Sequence, residues 1–329
     1  MAASRLTLAL DGGGLVLPDD GVISAILPQP GADLSALPRD RVQVVQPFRP
    51  FFDHFRQAGF DTVAEADGDC AVAVVFLPRA KAQARALLAD ASARASDLVV
   101  VDGAKTDGID SLLKEVRKRV PVEGPIAKAH GKIFWFRPNP TVFADWRAPD
   151  AQVVEGFHTA PGVFSADAID PASRLLAEAL PAHPGRHVAD FGAGWGYLAA
   201  RLLRDERLET LDLVEADHMA LHCARRNIAD PRARFHWADV AGWTPERPLD
   251  AVVTNPPFHV TRAADPALGR AFIDAAARVL APNGVLWLVA NRHLPYEAAL
   301  TDRFREVGEI GGDKRFKVLR ASRPSRSRR

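Results

Sequence analysis

Asp190-Phe191-Gly192-Ala193-Gly194-Trp195-Gly196 closes the short apolar run His187–Phe191 and opens a helical pattern that reaches to about Asp205. A glycine turn between strand and helix lets the backbone approach a ligand closely, and a helix N-terminus favours polar or anionic groups. A dinucleotide fingerprint needs G-x-G-x-x-G, with its third glycine at position 197. Tyr197 stands there, and the spacing is G-x-G-x-G. The turn therefore suits a ligand without a pyrophosphate, which leaves room for an acidic side chain beside it.

Outward from this turn, strands alternate with helices from residue 185 to 291, the pattern of a parallel α/β sheet. Further strands are expected over 211–215, 234–238, 251–255 and 285–290. Asp217 is placed to N-cap a helix reaching about residue 229, and a second helix is expected over 266–280 with Asn283-Gly284 as its stop. After a helix over 296–305, strands over 307–310 and 316–321 flank Gly311-Gly312 as a terminal antiparallel pair. The expectation is a seven-stranded mixed sheet, which departs from a plain dinucleotide fold.

Three acids fall at successive strand ends: Asp190, Glu215 and Asp239. Any one of them reads as a cap, but together they outline a ligand crevice outside the carboxyl edge of one sheet. S-adenosylmethionine, with a cationic amino group, a sulfonium and a ribose diol, fits this set. Asp190 is placed to set the turn and attract the methionine end, Glu215 to accept both ribose hydroxyls, and Asp239 to meet the adenine amino group.

The fourth strand ends in Asn255-Pro256-Pro257-Phe258, followed by His259. Alone, this is a stiff strand-to-loop turn, because proline fixes φ and ends sheet pairing. Beside the cofactor crevice it suits methyl transfer to an exocyclic base amine. Such an amine is a poor nucleophile, since its lone pair is delocalised into the ring. The Asn255 side-chain oxygen and the Pro256 carbonyl can accept its two N–H bonds and turn the lone pair toward the methyl group. Pro257 stiffens the turn, and Phe258 offers a face for base stacking, worth about 1–3 kcal/mol. Positioning for in-line displacement carries the rate, with no metal or covalent intermediate.

The chain has 329 residues, long enough for two domains, and 47% of them are apolar. The N-terminal half repeats the alternation less cleanly, with strands expected over 42–45, 72–76, 98–101 and 132–136 and helices over 78–94 and 107–119. Laid over the C-terminal half, 72–76 takes the place of the fourth strand, 98–101 that of the fifth, and 131–136 that of 315–319, as in an internal duplication. Where the amine motif belongs, this half has Phe76-Leu77-Pro78-Arg79. Its one glycine cluster, Asp11-Gly12-Gly13-Gly14, sits between short apolar runs and reads as a hairpin turn.

Net charge is +1, which neither supports nor excludes a nucleic-acid partner. From Lys314 to Arg329, however, the chain holds eight Lys or Arg and no acid, and its last six residues read as a disordered basic tail. No run of 18 uncharged apolar residues and no signal-peptide pattern is found, and Cys70 and Cys223 match no metal spacing. These point to a cytoplasmic protein with buried free thiols, without membrane or metal partners, acting as a monomer or weak oligomer.

With Pro161-Gly162-Val163-Phe164-Ser165, the Asp190–Gly196 turn, Asn255 to His259, Val289-Ala290-Asn291, Leu294-Pro295-Tyr296 and Arg315-Phe316-Lys317-Val318, the chain resembles the bacterial ribosomal RNA small-subunit guanine-N2 methyltransferases. That resemblance implies two tandem Rossmann-like class I methyltransferase domains, a degenerate one over 1–140 and a catalytic one over 161–322, joined by a linker over 141–160 and followed by the tail 323–329. It implies that Gly162, Val163 and Phe164 cover the cofactor, that Gly192, Gly194 and Gly196 cradle it, and that His259, Arg315 and Lys317 lie near RNA. The substrate would be ribosomal RNA or a ribosomal subunit, and the degenerate half would bind no cofactor and serve RNA docking or stability. Large-subunit guanine-N2 enzymes share much of this pattern, so the subunit stays open. The competing readings are an adenine-N6 or glutamine-amide methyltransferase, which usually carry Asn-Pro-Pro-Tyr, and a non-catalytic RNA-binding or ribosome assembly protein.

Overall fold

A computed structural model describes residues 3–149, 151–257 and 266–325. It divides into two units, Met1–Asp150 and Ala151–Arg329. The first has strands β1 (Ile23–Ile26), β2 (Val42–Val45), β3 (Asp61–Val63), β4 (Cys70–Phe76), β5 (Ala95–Ala104), β6 (Glu123–Lys128) and β7 (Gly131–Phe136). Its helices are α1 (Arg5–Asp11), α2 (Arg49–Gln57), α3 (Lys81–Arg94) and α4 (Ile109–Arg117). The second unit opens with a hairpin, β8 (Gln152–Val154) and β9 (Phe157–Thr159). Its sheet is built from β10 (His187–Phe191), β11 (Thr210–Glu215), β12 (Ala233–Trp237), β13 (Leu249–Thr254), β14 (Leu280–Asn291), β15 (Phe304–Gly312) and β16 (Phe316–Pro324). The helices are α5 (Pro171–Ala179), α6 (Tyr197–Leu202), α7 (His218–Asn227), α8 (Pro266–Val279) and α9 (Tyr296–Arg303).

The two sheets have the same strand order, β3-β2-β1-β4-β5-β7-β6 and β12-β11-β10-β13-β14-β16-β15. In each, five strands pair in parallel and the last two are antiparallel. Both halves are therefore α/β units of one topology, and the chain is an internal duplication. Parallel strands are covered on both faces, so they read as continuous apolar runs. Accordingly Val72 to Val75, and Ala251 to Val253, are wholly buried. Ala189, Val252 and Leu286 pack into one layer of the second unit with α8 and α9, while Val188, Leu213 and Val253 pack into the other with α5, α6 and α7.

Two local expectations are corrected. Asp11 to Gly14 is not a hairpin turn: Leu6–Leu10 lies in α1, where Ser4 caps Thr7 N–H and Leu6 and Ala9 bury one face. Period 3, not period 2, governs that run. Asn283-Gly284 does not stop α8, which ends at Val279; both residues lie within β14, before Val285 pairs with Ala251. A Cβ on Gly284 would sit 2.9 Å from the Leu249 carbonyl oxygen, so this glycine serves a close backbone approach.

Phe143 and Trp146 are buried in the first unit's core, and the β8–β9 hairpin packs on α7. Arg323 lies in β16 and pairs with Glu306. Cys70 and Cys223 are buried and free. Among the described residues no helix is long and apolar enough to cross a membrane.

Candidate functional site

The glycine turn leaves β10 and enters α6 with Gly192, Gly194 and Gly196 at φ 70°, 56° and 93°. Side chains disfavour this region, and Gly196 is also crowded. A Cβ on Gly196 would lie 2.8 Å from Ile228 Cδ1, and one on Gly192 would touch Phe272. A Cβ on Gly194 would meet nothing within 4 Å. Gly194 also lines a cleft with Phe164, Ser165, Asp170, Ser173 and Asn255, so its bareness leaves room for a ligand.

Asp190 is fully buried, and neither of its carboxylate oxygens has a hydrogen-bond partner in the protein. Burial, and then the neighbouring charge of Glu215, push its carboxyl up to about 8. Such an orphaned acid calls for a cationic or hydrogen-bonding partner. Half-buried Glu215 accepts the Gly194 N–H (2.7 Å) on one oxygen and the Asp217 N–H (2.8 Å) on the other. Burial raises Glu215 to about 7 against these backbone bonds. Each oxygen keeps a lone pair that could meet a diol. Asp239, just past β12, accepts the Ala241 N–H at 2.9 Å, while the Ala238 N–H donates to the Glu215 carbonyl at 3.0 Å. The three acids therefore stand at neighbouring strand ends, and the buried orphan and open Gly194 fit a ligand of the expected cationic kind.

Asn255 follows β13, whose last residue, Thr254, donates to the Phe191 carbonyl at 2.8 Å and ties the two strand ends together. The Asn255 side-chain nitrogen donates to Asp170 Oδ2 (2.9 Å) and Ser173 Oγ (2.8 Å). A carboxylate only accepts, so the amide nitrogen must face it, and Oδ1 is left buried without a partner. Pro256 is buried and Pro257 exposed. Phe258 and His259 lie outside the described residues.

Asp170 and Ser173 were not singled out in the sequence. Their one signal is Asp170-Pro171, an N-cap followed by proline at the first helical position: Asp170 Oδ2 accepts the Ser173 N–H at 2.8 Å and opens α5. Tyr197 and Leu198 also line the cleft without having been foreseen, and so does Ser165, the last residue of the stretch over 161–165.

The segment over 161–165 divides. Phe164 is 60% exposed and lines the cleft, whereas Val163 packs down among Ile169, Trp195, Ala220 and Cys223, and Gly162 turns the chain at φ 94°. Trp195 Nε1 donates to the Phe164 carbonyl at 3.0 Å, which fastens this segment to the glycine turn. Asn227, at the end of α7, donates to the His158 and Trp195 carbonyls (2.9 and 2.8 Å) and joins the hairpin to the same turn.

Lys317 is a correction. Its side chain is buried, and Nζ donates to the Leu294 carbonyl (2.8 Å) and Glu297 (2.6 Å), so it offers no charge to an RNA surface. The lack of alternation explains it: Phe316 to Leu319 are all buried because both faces of β16 are covered. Arg315, just before the strand, is exposed and lies over the Phe316 ring.

Comparison with known proteins adds three findings. The family model described as the methyltransferase small domain matches residues 155–320. Ribosomal RNA small subunit methyltransferase C of Hahella chejuensis is 29% identical over 325 residues, covering 94% of this chain and 93% of that protein. The protein of the same description from Shewanella piezotolerans is 32% identical, over 74% of this chain and 75% of its own length. Among solved structures, the T. thermophilus 16S rRNA N2 G1207 methyltransferase in complex with AdoMet and guanosine is similar with a TM-score of 0.77 and 28% identity, covering 98% of this chain and 92% of that one.

Proposed function

The chain belongs to the methyltransferase small domain family, and from that premise we propose that it transfers a methyl group from S-adenosylmethionine to the exocyclic N2 amine of a guanine in ribosomal RNA, in the small subunit. The observation that carries the reading is the buried Oδ1 of Asn255, an acceptor without a partner on a residue that lines the same cleft as the glycine turn. The similarity to small-subunit enzymes runs through both halves of the chain, which favours that subunit over the large one.

S-adenosylmethionine supplies the electrophilic methyl carbon when bound; the chain's residues bind and orient. Asp190 would neutralise the cationic methionine end, Glu215 would take the ribose hydroxyls and Asp239 the adenine amine. Gly192, Gly194 and Gly196 give the backbone its close approach, with Phe164 over the opening. Asn255 Oδ1 and the Pro256 carbonyl would accept the two N–H bonds of the target amine, hold its nitrogen lone pair toward the methyl carbon, and stabilise the positive charge that develops on nitrogen. That charge develops as the methyl–sulfur bond breaks to leave a neutral thioether, and it lasts until the nitrogen loses a proton to water. Pro257 and Phe258 would stiffen the turn and stack on the base, and Arg315 and His259 would contact RNA. The first half would bind no cofactor and serve RNA docking or the stability of its partner. The protein would act in the cytoplasm as a monomer or weak oligomer.

The test is tritiated methyl transfer from S-adenosylmethionine to ribosomal subunits from a strain lacking the gene, followed by nucleoside analysis. Label is expected in N2-methylguanosine of small-subunit RNA. Label confined to N6-methyladenosine or to protein would overturn the reading, and label in large-subunit RNA would move the target.

A further inference from the structure

Asn255 is useful to an amine in only one of its two amide orientations. With Oδ1 toward the cleft it accepts an N–H; rotated by 180° it presents an NH2 to another NH2, and the contact becomes repulsive. The two orientations have the same shape, so packing cannot choose between them; only hydrogen-bond partners can.

We infer that Asp170 and Ser173 are positioning residues that lock the Asn255 amide with its oxygen toward the cleft, and so restrict the target to a group that donates hydrogen bonds. The Asn255 nitrogen has two hydrogens, and the two partners at 2.9 and 2.8 Å account for both. Asp170 has no hydrogen to offer an Asn255 oxygen turned toward it. The hydroxyl of Ser173, only 8% exposed, is held beside it by the same α5 cap. Rotating the amide would bring two oxygens together and leave a buried NH2 without a partner, a cost of about 1–3 kcal/mol for the lost partner alone.

The duplicate half supplies an independent observation. Its first helix, α1, is capped in the same way, by Ser4 accepting the Thr7 N–H at 3.0 Å. There the two cap side chains bond to each other, Ser4 Oγ to Thr7 Oγ1 at 2.7 Å. No asparagine follows the fourth strand of that half; β4 ends at Phe76. A hydroxyl is enough to cap the helix. The carboxylate at 170, which cannot donate, occurs in the half where an amide has to be oriented.

This inference rests on the proposed methyl transfer to an amine, and the experiment separates the two. Wild type, Asp170→Asn, Ser173→Ala and Ser173→Thr would be assayed on small subunits for kcat and KM, with S-adenosylmethionine affinity by calorimetry and Tm alongside. Asparagine caps a helix as well as aspartate does, so Asp170→Asn keeps the cap and the shape while adding donors that tolerate the rotated amide. Its kcat should fall about 10-fold or more, with Tm, cofactor Kd and the KM for the subunit close to wild type. Ser173→Ala should show a smaller loss of kcat, restored by Ser173→Thr. In an Asn255→Ala background, Asp170→Asn should cost nothing further. The inference is overturned if Asp170→Asn keeps kcat within twofold of wild type, or if its loss appears in KM or Tm instead. A wild type that methylates no guanine would overturn the functional reading itself.

Discussion

The two halves keep the same backbone frame and differ in what stands on it. Phe191 pairs with Val214 and Thr254, as Ile26 pairs with Val45 and Val75. Counting along that register, Ala25 stands where Asp190 does, Gln46 for Glu215, Phe76 for Asn255 and Leu77 for Pro256. Even the turn begins alike: Leu27 N–H donates to the Val45 carbonyl and Gly192 N–H to the Val214 carbonyl, both at 2.9 Å. Leu27 holds φ 58° there against 70° for Gly192, a conformation that suits glycine and not leucine. A cleft persists beside this turn, lined by Ser4, Leu27, Phe76 and Asp102. Its two cations are occupied: Arg5 is paired with Asp102, and Lys128 Nζ donates to the Ala3 carbonyl. Gln46 accepts the Phe48 N–H as Glu215 accepts the Asp217 N–H, so that bond belongs to the shared frame, whereas the frame has survived without the carboxylate at the Asp190 place and the amide at the Asn255 place.

The largest expected effect comes from carrying the difference across. Asn255→Ala should lower kcat by about 10²–10³-fold or more while cofactor affinity persists, because the lost acceptor acts on the amine and not on the cofactor. Phe76→Ala, at the matching place in the other half, should leave transfer within twofold. Calorimetry on the wild type should give one cofactor per chain. Two per chain, or equal losses from the two substitutions, would break the contrast between the halves.

An intermediate effect concerns pH. Asp190 and Glu215 are raised in the folded protein, to about 8 and 7, above their ordinary values of 3.8 and 4.5. The folded state therefore holds protons that the unfolded chain has released. The stability this contributes is full below about pH 4 and is lost as pH rises through 7 and 8. In cofactor-free protein Tm should fall between about pH 4 and 8 and level off above that, and Asp190→Asn, uncharged like Ala25, should flatten that fall. S-adenosylmethionine should bind more tightly over the same range, since a cation prefers both acids ionised. A Tm difference between wild type and Asp190→Asn that does not change with pH would show that the buried acid does not titrate there.

The C-terminal fold was legible because its signals are local: glycine at 192, 194 and 196, an acid at each strand end, and unbroken apolar runs for the parallel strands. β1 was not read, although it is the middle one of the five parallel strands of the first sheet, because Ile23–Ile26 is short and follows the glycine- and proline-containing stretch over 12–21. α1 was misread because its seven residues make only about two turns, too few for a helical period to stand out. Within the site, Asn255 and the three acids could be named from strand ends, but Asp170 and Ser173 are more than 80 residues from their partner in the chain. Nothing in a run of sequence records such a contact. The Lys317 expectation came from the resemblance and not from a local signal, and β16, covered on both faces, buries that side chain.

The smallest effect tests that lysine. By register Ala290 pairs with Lys317 as Gly103 pairs with Lys132, and each lysine reaches the second residue of the helix after the fifth strand: Glu297 in α9 and Asp110 in α4, both at 2.6 Å. Burial raises Glu297, and the Lys317 bond outweighs it, so its carboxyl is held below its usual range. The Lys132 bond likewise holds Asp110 low. A pair present in both halves, including the one without the amine motif, belongs to the frame. Lys317 is nearly covered, at 5% side-chain exposure against 27% for Lys132, and it also satisfies the Leu294 carbonyl. Lys317→Met should therefore cost about 1–3 kcal/mol in urea unfolding, as for a buried acceptor left unpaired. Lys132→Met should cost about 0–1 kcal/mol, as for an exposed pair. Neither should alter the KM for ribosomal subunits. A severalfold rise in KM on Lys317→Met with unchanged stability would return this lysine to the RNA surface and remove it from the shared frame.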